Sequence, residues 1–147
     1  MYRKILVGLD GSTHSLRAAT TGIRLASQFD AELHLLTVTR PFKVTPELRR
    51  YLEAENLLGE PKYVLDEMTN AITSKAKALA DEANLKKVKT EVREGRPART
   101  IVDYAKSSGV DLIVLGSRGA GESETLLLGS VSQKVSMLSE CTVMIVR

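Results

Sequence analysis

Apolar and polar positions along this chain change period from one block to the next. Short apolar runs stand at Ile5 to Leu9, Glu32 to Thr39 (Leu33, Leu35, Leu36 and Val38 apolar), Val110 to Leu115 and Thr142 to Val146. Runs of this length bounded by turn residues predict buried strands. Val88 and Val92, alternating with Lys87, Lys89, Glu91 and Arg93, predict a further strand, third in chain order. Between the strands the spacing becomes helical. Leu16, Ala19, Ile23 and Ala26 recur at three and four residues, predicting a helix capped by Ser12 and running to about Phe29. Leu48, Tyr51, Leu52 and Leu58 predict a short amphipathic helix between Pro46 and Gly59. Pro61 suits the first turn of a longer helix whose inward face would be Val64, Leu65, Met68, Ile72, Ala76 and Leu79. Gly95-Arg96-Pro97 opens a third core helix, with Ile101, Val102 and Ala105 inward, closing near Gly109. The last helix starts at Ser130, where Ser130 and Gln133 have capping-box spacing. Strands that alternate with helices predict a single α/β domain, residues 1–147, built on a parallel sheet.

Composition narrows the function classes. With 147 residues, 43% hydrophobic and 27% charged, the chain can bury a core without staples. Lys and Arg number 21 against 18 Asp and Glu, a formal +3 that is too small and dispersed to argue for nucleic acid. Two Phe, four Tyr and no Trp offer no stacking platform for single strands. Cys141 is the one cysteine, which excludes an internal disulfide and the sulfur-rich zinc patterns and predicts a buried structural thiol. No apolar stretch approaches the roughly 18 residues of a membrane span. Met1-Tyr2-Arg3-Lys4 enters a strand rather than a signal-peptide core, so a cytoplasmic location with no membrane partner is expected.

The candidate chemistry lies from Leu112 to Val131, LIVLGSRGAGESETLLLGSV. An apolar strand empties into a loop with Gly116, Gly119 and Gly129, then Ser130 and a helix. Glycines let backbone approach an anion, and the first N–H groups of the following helix point at it. Arg118 is the loop's cation. In open parallel sheets, ligands settle beyond the carboxyl ends of the strands, where strand order reverses. Asp10 follows the first strand as Gly116 follows the fourth. If those strands are neighbours, both loops face one crevice.

Taken together, Ile5-Leu-Val-Gly-Leu-Asp10-Gly-Ser12, Gly95-Arg-Pro-Ala98, Asp111-Leu-Ile-Val-Leu-Gly-Ser-Arg-Gly119 and Leu127-Leu-Gly-Ser-Val-Ser132 make the chain resemble universal stress protein domains of the ATP-binding kind. The G-x2-G-x9-G-S spacing resembles that family's nucleotide motif, and it arrives between the expected strand and helix. The resemblance implies a Rossmann-like, adenine nucleotide alpha hydrolase-like fold: five parallel strands in the order 3-2-1-4-5, with helices on both faces. It implies that Asp10 lies by the nucleoside and Val38 lines the adenine pocket. Gly116 and Gly119 would admit ribose and phosphates, while Gly129, Ser130, Val131 and Ser132 bind phosphates through N–H groups and hydroxyls. Gly8, Leu9 and Leu115 complete the wall. The implied ligand is ATP, or ADP or AMP, with Mg2+ or Mn2+. The chain departs from the family pattern at Glu122, Ser123 and Glu124, where many relatives carry a basic residue, and at Thr142, where proline is common. Carboxylates near a triphosphate repel it unless they turn to solvent or meet a metal.

In the implied order the third and fifth strands are edges. Lys86, Lys87, Lys89 and Arg93 suit an edge that blocks pairing. The apolar run Val143, Met144, Ile145 and Val146 invites it, so two copies are expected to pair through Thr142 to Val146, as the resemblance also implies. His14 and His34 lack metal-like spacing; His34 reads as structural and His14 as a surface residue of the first helix. No general base or nucleophile accompanies the loop, so a nucleotide-binding regulatory protein with slow hydrolysis or none is the leading expectation. One alternative is an ATP-dependent adenylating enzyme of related fold, although Asp10-Gly-Ser-Thr-His-Ser15 lacks that class's paired glycines. Another is a dimeric interaction protein that no longer binds nucleotide, which Glu122 and Glu124 favour. A phospho-receiver domain is set aside because its acidic pair and third-strand aspartate are absent.

Overall fold

A computed structural model of the chain describes residues 1–41, 45–56, 60–122 and 127–147, with the backbone alone for 60–64. The elements are β1 (Lys4–Leu9), α1 (Thr13–Phe29), β2 (Glu32–Thr39), α2 (Pro46–Ala54), α3 (Glu60–Glu82), β3 (Val88–Glu94), α4 (Pro97–Ser108), β4 (Leu112–Gly116), α5 (Ser130–Leu138) and β5 (Thr142–Val146). Every strand pair is parallel, and the order is β3-β2-β1-β4-β5. Side chains alternate across the sheet with period two. Ile5, Val7, Leu33, Leu35, Leu112 and Val114 pack toward α1 and α3. Leu6, Leu36, Ile113 and Leu115 pack toward the other face, with Ile101, Tyr104 and Ala105 of α4 and Val135 of α5. Both faces of the central strands are therefore buried, which is why they read as continuous apolar runs.

The chain ends its helices where local chemistry directs. Ser12 caps α1 by accepting from the Ser15 N–H at 3.1 Å. Pro97 opens α4, and Gly109, in the left-handed region at φ 68°, closes it. His34 is a core residue: Nδ1 lies 2.8 Å from the Tyr104 hydroxyl and Nε2 lies 2.5 Å from Glu32 Oε1. That hydrogen bond from His34 is the main reason the Glu32 carboxyl is held below its ordinary pKa, against the opposing effect of burial. Burial pushes the Tyr104 hydroxyl upward. Among the described residues, no helix is long and apolar enough to cross a membrane.

Several expectations are corrected. Leu65 and Met68 do not face the core; Met68 is 57% exposed, and among the described side chains of α3 the buried positions are Thr69, Ala76 and Ala80, flanked by Ile72 and Leu79. At about 1.5 Å per residue, the 23-residue α3 is longer than β2, whose 8 residues rise about 3.3 Å each. Its first turns therefore overhang the sheet. The fourth strand begins two residues later than predicted and includes Gly116. Val110 closes α4 with an N–H bond to the Ala105 carbonyl. Asp111 uses its carboxylate to accept from the N–H groups of Arg3 and Lys4. His14 is half-buried rather than superficial. Cys141 is half-buried, packed at the rim of the α4 and α5 side of the core. Leu58, Gly59, Ser123 and Glu124, and the side chain of Val64, lie outside the described residues.

Candidate functional site

The sheet order creates the crevice. β1 and β4 are neighbours; α1 leaves the end of β1 on one face, and the chain after β4 leads to α5 on the other. At this divergence lies a cleft of about 240 Å3. Gly8, Leu9 and Asp10 reach it from β1 and the turn beyond, Val38 from β2, and Leu115 and Gly116 from β4. Arg118 and Gly119 reach it from the glycine loop, and Gly129, Ser130, Val131 and Ser132 from the start of α5. The structure thus brings all of the sequence-derived candidates onto the walls of one cavity. Ser15, Leu36, Arg40, Pro97, Ile101, Ala120 and Glu122 also line it. Arg40 follows the carboxyl end of β2 directly, so the strand-end rule applied to the first and fourth strands also reaches it.

The two ends of the cleft differ chemically. Leu36, Val38, Pro97 and Ile101 make one wall apolar. The opposite end is lined by Asp10, Arg118, Glu122 and the N-terminus of α5. Asp10 clasps this end together. Its Oδ1 accepts from the Ser12 N–H at 2.9 Å, and its Oδ2 accepts from the Ala120 N–H at 3.0 Å. One carboxylate therefore ties the turn after β1 to the loop after β4.

The glycines serve different purposes. A Cβ at Gly116 would lie 2.7 Å from the backbone carbonyl carbon of His14 and 2.9 Å from its oxygen. The missing side chain at Gly116 therefore admits α1, although the Gly116 backbone still lines the cleft. A Cβ at Gly119 would lie 2.8 Å from Asp10 Oδ2, between the clasp and the cleft.

The start of α5 differs from the predicted capping box. Gly129, not Ser130, is the N-cap, and it makes no side-chain cap bond. Ser130 is the first helical residue, and its N–H lies 3.4 Å from Glu122 Oε1. The Gly129 N–H donates instead to the Ser117 carbonyl at 2.5 Å, drawing the loop back onto the strand end and placing the helix start in the cleft. Ser132 turns inward: its hydroxyl donates to the carbonyls of Ser117 and Gly129, each at 3.1 Å, so in this state it braces the loop. Ser130 Oγ lies at the mouth, 3.4 Å from Glu122 Oε1.

This geometry suits an anion joined to an apolar or planar group. The helix dipole at the start of α5 favours negative charge at one end, and aliphatic side chains exclude water at the other. Among the described residues, no group of three or more His, Cys, Asp or Glu side chains is disposed to hold a metal.

Comparison with known proteins agrees with this architecture. The family model described as universal stress protein family matches residues 1–147. The universal stress protein YxiE of Bacillus subtilis is 37% identical over 100% of both chains. A universal stress protein UspA from Lactobacillus plantarum superposes with a TM-score of 0.73 at 31% identity, covering 99% of this chain and 98% of its own. A universal stress protein solved in complex with cAMP superposes with a TM-score of 0.70 at 28% identity, covering 99% and 97% of the two chains.

Proposed function

The chain belongs to the universal stress protein family, and from that premise we propose that its cleft binds an adenine nucleotide, ATP foremost, to set conformation or partner choice. The observation that carries the reading is the pairing, within one cavity, of an apolar wall with the N-terminus of α5. In this reading Val38, with Leu36, Pro97 and Ile101, receives the base, while Gly8, Leu9 and Leu115 close the wall behind it. Asp10 meets the ribose, and the backbones of Gly116 and Gly119 let ribose and phosphates come close. Gly129, Ser130, Val131 and Ser132, with Arg118, hold the phosphates. The relative solved with cAMP supports an adenine ligand in this fold. Mg2+ or Mn2+ would arrive with the phosphates.

Turnover is expected to be slow. Asp10 already accepts two backbone N–H bonds, which ties down the carboxylate nearest the proposed ribose. Calorimetric titration with ATP, ADP, AMP and cAMP, with and without magnesium, tests the reading. Saturable binding of at least one, with phosphate release far below the roughly 10 per second of ordinary enzymes, is the expected result. The absence of binding by all four contradicts it.

A second element of the reading is self-association. β5 is an edge strand, and in the single chain Val143, Met144, Ile145 and Val146 are only partly buried. On the neighbouring α5, Met137 is 77% exposed and Leu138 is exposed as well. An unprotected apolar edge pairs readily with another, and a closed two-fold arrangement would cover both copies at once. Sedimentation at micromolar concentration is expected to give a dimer; a monomer there sinks this element.

A further inference from the structure

The carboxylate of Glu122 lies between two glycines of the loop. A Cβ at Gly129 would lie 2.6 Å from Glu122 Oε2, and one at Gly119 would lie 3.3 Å from Oε1. Oε1 sits 3.4 Å from both the nitrogen and the hydroxyl of Ser130. Oε2 is buried and has no hydrogen-bond partner among the described residues. The Glu122 N–H bonds the Gly119 carbonyl at 3.3 Å, so the carboxylate is carried by the same tight turn that forms the loop. A negative group at the N-terminus of a helix is favourable. Here the chain supplies that group itself, in the space where an incoming anion would sit.

We infer that Glu122 is an internal anion that occupies the polyphosphate subsite and makes the cleft discriminate against metal-free polyphosphate chains. The inference rests on the nucleotide reading of the cleft. A triphosphate cannot reach the Ser130 N–H until the carboxylate leaves, and like charges at this separation repel strongly once water is thinned out. A nucleoside lacking phosphates brings no negative charge to set against the carboxylate. Glu122 then separates ligands by phosphate content and presents a carboxylate to any cation that accompanies them.

The test titrates wild type, Glu122→Gln and Glu122→Ala with ATP and with adenosine in metal-free buffer, after melting curves confirm that each is folded. Glutamine keeps the shape and an acceptor oxygen for Ser130 while removing the charge; alanine removes both. ATP affinity is expected to rise about tenfold in at least one variant, while adenosine affinity stays within about twofold of wild type. Unchanged or weaker ATP binding in both variants, with adenosine still bound, overturns the role of Glu122 and leaves the nucleotide reading intact. An equal rise for ATP and adenosine also overturns it, because the carboxylate would then oppose the whole ligand rather than its phosphates. If neither ligand binds any of the three proteins, both this inference and the nucleotide reading fall.

Discussion

Gly119→Val is expected to weaken ATP binding by at least about a hundredfold, a loss of roughly 2.7 kcal/mol. The loss follows from where the new atoms must go. The first would lie 2.8 Å from Asp10 Oδ2, the oxygen that holds the Ala120 N–H. The backbone fixes that atom whichever way the valine methyl groups turn, so the Asp10 carboxylate must move and loosen its hold on the loop after β4. The methyl groups add volume beside the space proposed for ribose and phosphate. Both effects damage binding while leaving the sheet untouched. The unfolding midpoint should therefore move little. An affinity within about threefold of wild type would place the nucleotide somewhere other than this cleft.

Gly116→Ala should do the opposite: a large loss of stability whether or not nucleotide is present. Gly116 ends β4, pairs with Val146 of β5, and faces the first turn of α1. The atoms a methyl would strike include the His14 carbonyl group, 2.7 Å away at its carbon. Backbone cannot rotate aside as a side-chain tip can, so α1 must lift from the sheet or β4 must shift. Overpacking costs about 1–3 kcal/mol, and relief of unfolded-chain entropy returns only about 0.4–1 kcal/mol. A net loss of about 1–1.5 kcal/mol, read as a lower urea midpoint at constant slope, is expected. A midpoint equal to that of wild type would mean that the α1–β4 approach is looser than described.

Much of the fold was legible because its signals are local. Leu33, Leu35, Leu36 and Val38 spell a strand, and Ser12, Pro97 and Gly109 mark helix ends by chemistry that acts within a few residues. The order 3-2-1-4-5 entered through family resemblance rather than through periodicity. The gathering of the site residues into one cleft follows from that order, since ligands favour the divergence of neighbouring strands. What the sequence hid was the direction of side chains, which packing decides. Leu65 and Met68 have the right period for a buried face, but the helix outruns the sheet that would bury them. Ser130 and Gln133 have capping-box spacing, yet the helix starts one residue earlier and Gly129 takes the cap position. Gly116 reads as a phosphate glycine, while its missing side chain makes room for α1. Glu122 stood out in sequence as a departure from the family pattern. Only the structure shows its carboxylate turned inward between Gly119 and Gly129.

These details shape the functional account. A site that carries its own anion, held on a glycine turn beside the start of α5, suits a binding switch better than a site built for rapid turnover. Occupancy by phosphates would require Glu122 to leave the start of α5, and that movement lies beside the strand ends from which α1 and α5 depart. The edge strand β5 pairs with β4, whose end carries Gly116 and the loop, so cleft and proposed dimer edge are one strand apart.

Occupancy of this cleft by an adenine nucleotide is decided by following backbone amides of isotope-labelled protein in a heteronuclear NMR titration with ATP and magnesium. The predicted result is saturable movement of the Gly119, Gly129, Ser130, Val131 and Ser132 amides together with that of Val38, while Lys89 and Glu91 on the far edge strand stay fixed. Unmoved cleft amides at millimolar ATP, or movements confined to another face of the molecule, would contradict the account.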